Sequence, residues 1–253
     1  SESYTETPSW YAKETYVADT KAFIEHIERN IEPAVTFYNG LNETPTFDES
    51  HYLPSADGVG LEAPLVADWV EGGYRGNEQL WRAALGAYLS VPDGKTVSWI
   101  DYGARENVKV RLYSLASYLL VSRENSFYMY TPQCWYLTYL PEWDLDFGQP
   151  VSQPTSPDDL YDPESGLYIR EYSKSLIVVN PDDTNTKTMH LDGDYLRVIP
   201  TGGNIPKLGG DGALTLERVS ALTVQPQEGA LLLKPEAALN TAPAFTAAYT
   251  ILQ

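Results

Sequence analysis

An alternation of helix and strand signals across residues 15–130 constrains this chain more than any other feature. Residues 15–30 carry Tyr16, Val17, Phe23, Ile24 and Ile27 at roughly helical spacing, with Pro33 beyond as a stop. Residues 34–38 then read as a short strand closed by Asn39-Gly40. A second strand is expected over 58–65 and a second helix over 77–89, with Leu80, Trp81, Ala84, Leu85 and Tyr88 on one face. A third strand (95–100), a third helix (107–120) and a fourth strand (126–130) complete the series. Such alternation predicts parallel β/α units joined by crossover helices. Four strands cannot close a barrel that needs eight, so half of a (β/α)8 barrel is expected over residues 1–149.

From Pro150 the texture changes. Residues 151–166 are rich in Pro, Ser and Asp and read as a linker or long loop. Seven short strands follow, at 167–171, 175–180, 186–191, 195–199, 213–216, 221–225 and 230–233, a spacing that predicts a β-sandwich over 150–236. Residues 237–253 form an Ala/Thr-rich tail, read as a last helix and strand or as a linker.

Charge and composition narrow the partners. The 35 acidic side chains against 17 Lys and Arg leave a net charge of −18, which repels phosphate backbones, so no nucleic acid is expected as a partner. No stretch approaches the roughly 20 apolar residues that a membrane span requires. Cys134 is the one cysteine, which rules out an intrachain disulfide and a Cys-based zinc site, and its surroundings match no nucleophile signature. No metal site is expected, since no His lies at ligand spacing from another, and acidic turns such as Asp192-Gly193-Asp194 usually just face water. No P-loop, GxGxxG or GxSxG pattern calls for a cofactor. The 19 Tyr and 6 Trp suit sugar recognition, where a flat ring covers the apolar face of a pyranose, and they equally suit a packed core.

In a barrel, chemistry sits at the C-terminal ends of the strands. Glu62, near the end of the second expected strand, is the candidate catalytic carboxyl, able to act as acid, base or nucleophile. Partial burial among Trp69, Trp99 and Tyr102 would raise its pKa; a structural carboxylate that binds a neighbouring loop is the alternative. Asp101, Tyr102 and Trp99 at the end of the third strand, and Asn39 at the end of the first, are candidate substrate contacts. Asp101 is also explained as a cap, and Asn39 as a turn residue. The acidic run 139–150 either lines the mouth of the site or fixes the first part of the chain to the second. Arg111 and Arg170 stand out among scarce cations, with Arg170 expected to pair with an acid.

Taken in order, these motifs resemble the distal half of barrel glycoside hydrolases. The likeness runs from Tyr38-Asn39-Gly40 and Asp57-Gly58-Val59-Gly60-Leu61-Glu62 to Ser114-Leu115-Ala116-Ser117-Tyr118-Leu119-Leu120-Val121. It continues through Pro141-Glu142-Trp143-Asp144-Leu145-Asp146-Phe147-Gly148-Gln149-Pro150 and Gly166-Leu167-Tyr168-Ile169-Arg170-Glu171-Tyr172 to Val179-Asn180-Pro181, covering residues 15–233. The resemblance implies hydrolysis of an extracellular polysaccharide or oligosaccharide by paired carboxylates, an extracellular or cell-surface location, and a β-domain packed behind the barrel. It also implies a second acid on an upstream strand, in a pattern like Asp-Gly-x-x-x-Asp. One carboxyl cannot run that mechanism alone. An upstream segment, a second chain or another copy would complete the barrel. The alternative is a non-catalytic structural or carbohydrate-binding subunit.

Overall fold

A computed structural model describes residues 13–31, 34–39, 56–133, 138–203, 212–238 and 249–252. The expectations for Cys134 and for the first twelve residues lie outside them.

Helix α1 (Lys13–Ile31) leads into β1 (Phe37–Asn39). There follow β2 (Gly58–Glu62), α2 (Glu78–Leu89), β3 (Thr96–Tyr102), α3 (Val108–Val121) and β4 (Ser126–Thr131). The four strands form one parallel sheet in the order β1-β2-β3-β4, with Asn39 opposite Gly60, Glu62 opposite Ile100, and Tyr102 opposite Thr131. Alternation along each strand divides the side chains between two faces. Val59, Leu61, Val97 and Trp99 turn to the helix side and are fully buried. Asn77 caps α2 by accepting from the backbone N–H groups of Gln79 and Leu80, and Asn107 caps α3 by accepting from Val110.

Next come β5 (Tyr161–Asp162), β6 (Leu167–Glu171), β7 (Ser175–Asn180), β8 (Lys187–Thr201), β9 (Ala213–Val224), β10 (Glu228–Leu233), α4 (Pro235–Ala238) and β11 (Tyr249–Leu252). They form one hydrogen-bonded sheet, in the order β11-β9-β8-β10-β7-β6-β5. It is antiparallel except that β11 runs parallel to β9. The tail thus contributes a short helix and a strand.

The expectation of seven short strands in a sandwich needs correction. The segments at 186–191 and 195–199 are one strand, β8, and those at 213–216 and 221–225 are one strand, β9. Asp192-Gly193-Asp194 reads as a turn but forms a bulge, shifting the register between His190 and Tyr195 without ending the strand. A second buried cluster joins Leu167, Val178, Ala230 and Leu232 to Leu222 and Val224 of β9.

Helix α3 lies between the two sheets. Every residue from Val110 to Val121 is buried, which explains a helix apolar nearly all round. Its main core joins Leu112, Leu115, Ala116 and Leu120 to Ile177, Val179, Leu231 and Leu233 of the antiparallel sheet. Each such Leu contributes about 1.5–3 kcal/mol by leaving water. The approach is closest at Gly229, where a Cβ would lie 2.5 Å from the Leu112 carbonyl oxygen and 2.6 Å from the Ala116 Cβ. The parallel and antiparallel sheets therefore share one core across residue 150.

Three polar devices secure that contact. Arg111 Nε lies 2.9 Å from Glu142 Oε1, both side chains being fully buried, and its Nη1 donates to the carbonyls of Arg105 and Gly202. Arg170 donates to the carbonyls of Leu119, Leu120 and Ser122 at the end of α3, and to Ser152. An acid was expected there; the helix terminus, rich in unpaired carbonyls, supplies the negative charge instead. The Tyr168 hydroxyl donates to Glu78 and accepts from Arg82, tying β6 to α2. Desolvation foremost, then Glu78, pushes that hydroxyl's pKa up to about 12.

Residues 151–166, expected as a linker or long loop, are held in place. Ser156 and Asp159 form a capping box around the 3-10 turn Pro157–Leu160, and Asp158 pairs with Arg82 at 2.5 Å. The run 139–150 joins the two parts of the chain: Glu142 pairs with Arg111, Trp143 packs edge-on against Tyr128, and Asp146 pairs with Lys174.

Candidate functional site

The face of the parallel sheet away from α2 and α3 carries Phe37 and Asn39 from β1, Gly58, Gly60 and Glu62 from β2, Ser98, Ile100 and Tyr102 from β3, and Phe127, Met129 and Thr131 from β4. Phe37 is 46% exposed and Phe127 63% exposed, so this face is open and largely apolar. Its C-terminal edge is polar, where Asn39, Glu62, Tyr102 and Thr131 end the four strands.

Glu62 is the hub of that edge. The Tyr102 hydroxyl donates to Glu62 Oε1 at 2.7 Å, and Asn39 Nδ2 donates to Glu62 Oε2. Gly60 makes the arrangement possible, because a Cβ there would press to 3.0 Å on both Asn39 Oδ1 and Ser98 Oγ. The chain turns sharply after Glu62: Ala63 takes a positive φ of 51°, its N–H donates to the Ile100 carbonyl, and its own carbonyl accepts from Arg75.

The turn launches the loop 64–74, closed by an antiparallel bridge between Val66 and Tyr74 and by positive φ at Gly72 and Gly73. At its tip Trp69 is 66% exposed, and its ring centroid lies 5.5 Å from that of Tyr102 at an interplanar angle of 45°. An exposed carboxylate, a phenol, an amide and an indole therefore converge at the strand ends.

Of the sequence candidates, Glu62, Asn39 and Tyr102 come together, whereas Asp101 and Trp99 lie on the other face. Odd-numbered positions of β3 point toward the helices, and both side chains are fully buried. Asp101 accepts from the backbone N–H groups of Leu65 and Val66, from Trp99 Nε1 at 2.8 Å and from Ser114 Oγ at 2.5 Å. Desolvation raises its pKa above the ordinary value against those four hydrogen bonds. Asp101 touches no solvent; it anchors the base of the loop that presents Trp69. The expected burial of Glu62 among Trp69, Trp99 and Tyr102 is not found, since Glu62 is exposed and Trp99 lies behind the sheet.

From the sequence, Trp69 is expected only among the residues that bury Glu62, whereas the structure leaves it exposed beside Tyr102. Its signal was present in Ala67-Asp68-Trp69-Val70-Glu71-Gly72-Gly73, an aromatic in a glycine-ended loop directly after a strand-end acid. Among the described residues, no group of three or more His, Cys, Asp and Glu side chains could hold a metal ion. No helix among them is long and apolar enough to cross a membrane.

No protein-family model matches the chain, and no curated protein matches it. Among solved structures, it is similar to an Anoxybacillus alpha-amylase described as giving insights into a new glycosyl hydrolase subclass, at 10% identity and a TM-score of 0.37. The match covers 84% of this chain and 56% of that one, so the chain spans little more than half of the amylase's length.

Proposed function

We propose that the Asn39–Glu62–Tyr102–Trp69 cluster is a carbohydrate site, and that Glu62 is one carboxyl of a glycoside hydrolase acting on an extracellular polysaccharide. One observation carries this reading: an exposed carboxylate, fixed by a phenol and an amide, stands beside an exposed indole at the C-terminal edge of a parallel sheet. The indole offers a flat apolar surface to a pyranose, and the carboxylate offers an acceptor or a base.

On this reading the four parallel strands and their helices are half of a barrel. The open face, with Phe37 and Phe127 exposed, is where further units would pack, supplied by an upstream segment or a partner chain. Those units would bring the second carboxyl, roughly 5–9.5 Å from the first. Purification from the native source tests this, with every co-purifying chain identified by mass. Reducing-end release from glycans by the isolated species, lost on Glu62→Gln, supports it.

A second reading is a non-catalytic carbohydrate-binding subunit. It is favoured by the strand ends themselves, where, among the described residues, Glu62 stands with Asn39, Tyr102 and Thr131 and no second carboxylate. A lone chain that binds glycan and releases no reducing ends selects this reading.

A further inference from the structure

The antiparallel sheet carries a hollow that the proposed glycan site does not use. It has a volume of about 590 Å³ and opens where β8 bulges between His190 and Tyr195. Five partly buried side chains, Ile169, Leu176, Met189, Leu191 and Tyr195, line it and pack against the second apolar cluster. The floor is thus a continuation of a hydrophobic core that reaches the surface, at a volume ordinary for a small-ligand pocket.

The rim has one dominant sign. Glu171, Asp192, Asp194 and Glu236 line the hollow, against Lys234 as the one Lys or Arg and His190 beside them. Lys234 is held by Glu171 at 2.8 Å, and Asp194 is held from outside by Arg218 at 3.0 Å. Asp192, Glu236 and the Tyr195 ring line the same hollow, and an aromatic ring attracts a cation at its negative π face. An anion entering here meets net repulsion. A neutral apolar molecule uses the floor alone. A cation with a hydrocarbon body uses the floor, the ring and the rim together.

We propose that this hollow binds an organic ammonium ion carrying an alkyl body. The charge of the whole chain favours the same ligand, since a net −18 concentrates cations near the surface. The bulge in β8 falls at this hollow, where His190, Asp192 and Asp194 line the opening.

The test uses the full chain with hexylammonium as probe, and hexanoate and 1-hexanol as matched controls. Methyl resonances of Ile169, Leu176 and Met189 are followed by NMR at low salt. Saturable shifts are expected with hexylammonium, with binding at least fivefold weaker for hexanol and undetectable for hexanoate. The double variant Asp192→Asn/Glu236→Gln should weaken the ammonium about fivefold or more and leave hexanol unchanged. Raising salt should act on the ammonium alone. Absence of saturable shifts overturns the proposal, as does equal affinity for hexanol and hexylammonium, or an unchanged ammonium affinity in the double variant.

Discussion

Tyr102 and Glu62 sit on neighbouring parallel strands two residues apart in register, and the phenol of one donates to the carboxylate of the other at 2.7 Å. The bond reaches diagonally across the strand ends and leaves the carboxylate exposed. The same phenol ring lies beside Trp69, so it links the charged group to the aromatic one.

Trp69 makes little contact with the core, and truncating it separates binding from folding. Trp69→Ala should change stability by no more than about 0.5 kcal/mol in urea denaturation. The same variant should weaken glycan binding roughly tenfold through loss of ring contact. A large stability loss would make the indole a structural residue.

The Arg111–Glu142 pair is buried without solvent on either side. Glu142→Ala leaves an isolated guanidinium in the core and should cost about 3–5 kcal/mol. The double variant Arg111→Met/Glu142→Leu should recover most of that loss. Urea midpoints of the three proteins decide the matter, and a double variant as weak as the single one would contradict the account.

Arg170 acts as a terminal cap on α3. Arg170→Met leaves the carbonyls of Leu119, Leu120 and Ser122 without this cationic donor and should cost about 2–4 kcal/mol. Amide hydrogen exchange should quicken first in the last turn of α3. Exchange unchanged there would show that Arg170 is not what holds the helix end.

Stability should pass through a maximum in mild acid. Desolvation raises the folded pKa of Asp101 above its ordinary value, against the hydrogen bonds from Ser114, Trp99, Val66 and Leu65. A carboxyl raised in the folded state holds its proton longer there, so stability falls as pH climbs through the folded value. Asp182 has the opposite sign: desolvation opposes it, but hydrogen bonds from Thr184 and Asn185 hold its carboxyl well below the usual range. Its contribution is present above the unfolded value and lost as pH falls through the folded one. Denaturation midpoints between about pH 2 and 9 should therefore peak near about pH 4–5. Asp182→Asn should flatten the acid limb alone. A midpoint that rises steadily to neutral pH would contradict this.

The sequence exposed the local periodicities and hid the long-range ones. Alternation of β-branched and helical runs placed β2, β3, β4, α2 and α3 within a few residues, because each carries its own apolar face. It could not reveal that α3 lies between two sheets, since burial on both sides looks the same as a generally apolar helix. Asp192-Gly193-Asp194 has the composition of a turn, and only pairing with β9 makes it a bulge. At the site, Glu62, Asn39 and Tyr102 were legible as strand-end polar residues. Asp101 and Trp99 were misplaced because a one-residue step along β3 reverses the face, and the end of a strand does not announce which face it favours.

The most direct test of the carbohydrate reading is a titration of the intact chain with soluble α-glucan, β-glucan, xylan and mannan oligosaccharides, followed by tryptophan fluorescence. The account predicts saturable binding of at least one of them, weakened roughly tenfold by Trp69→Ala and also reduced by Glu62→Gln. Binding of none, or binding that neither substitution alters, would contradict it.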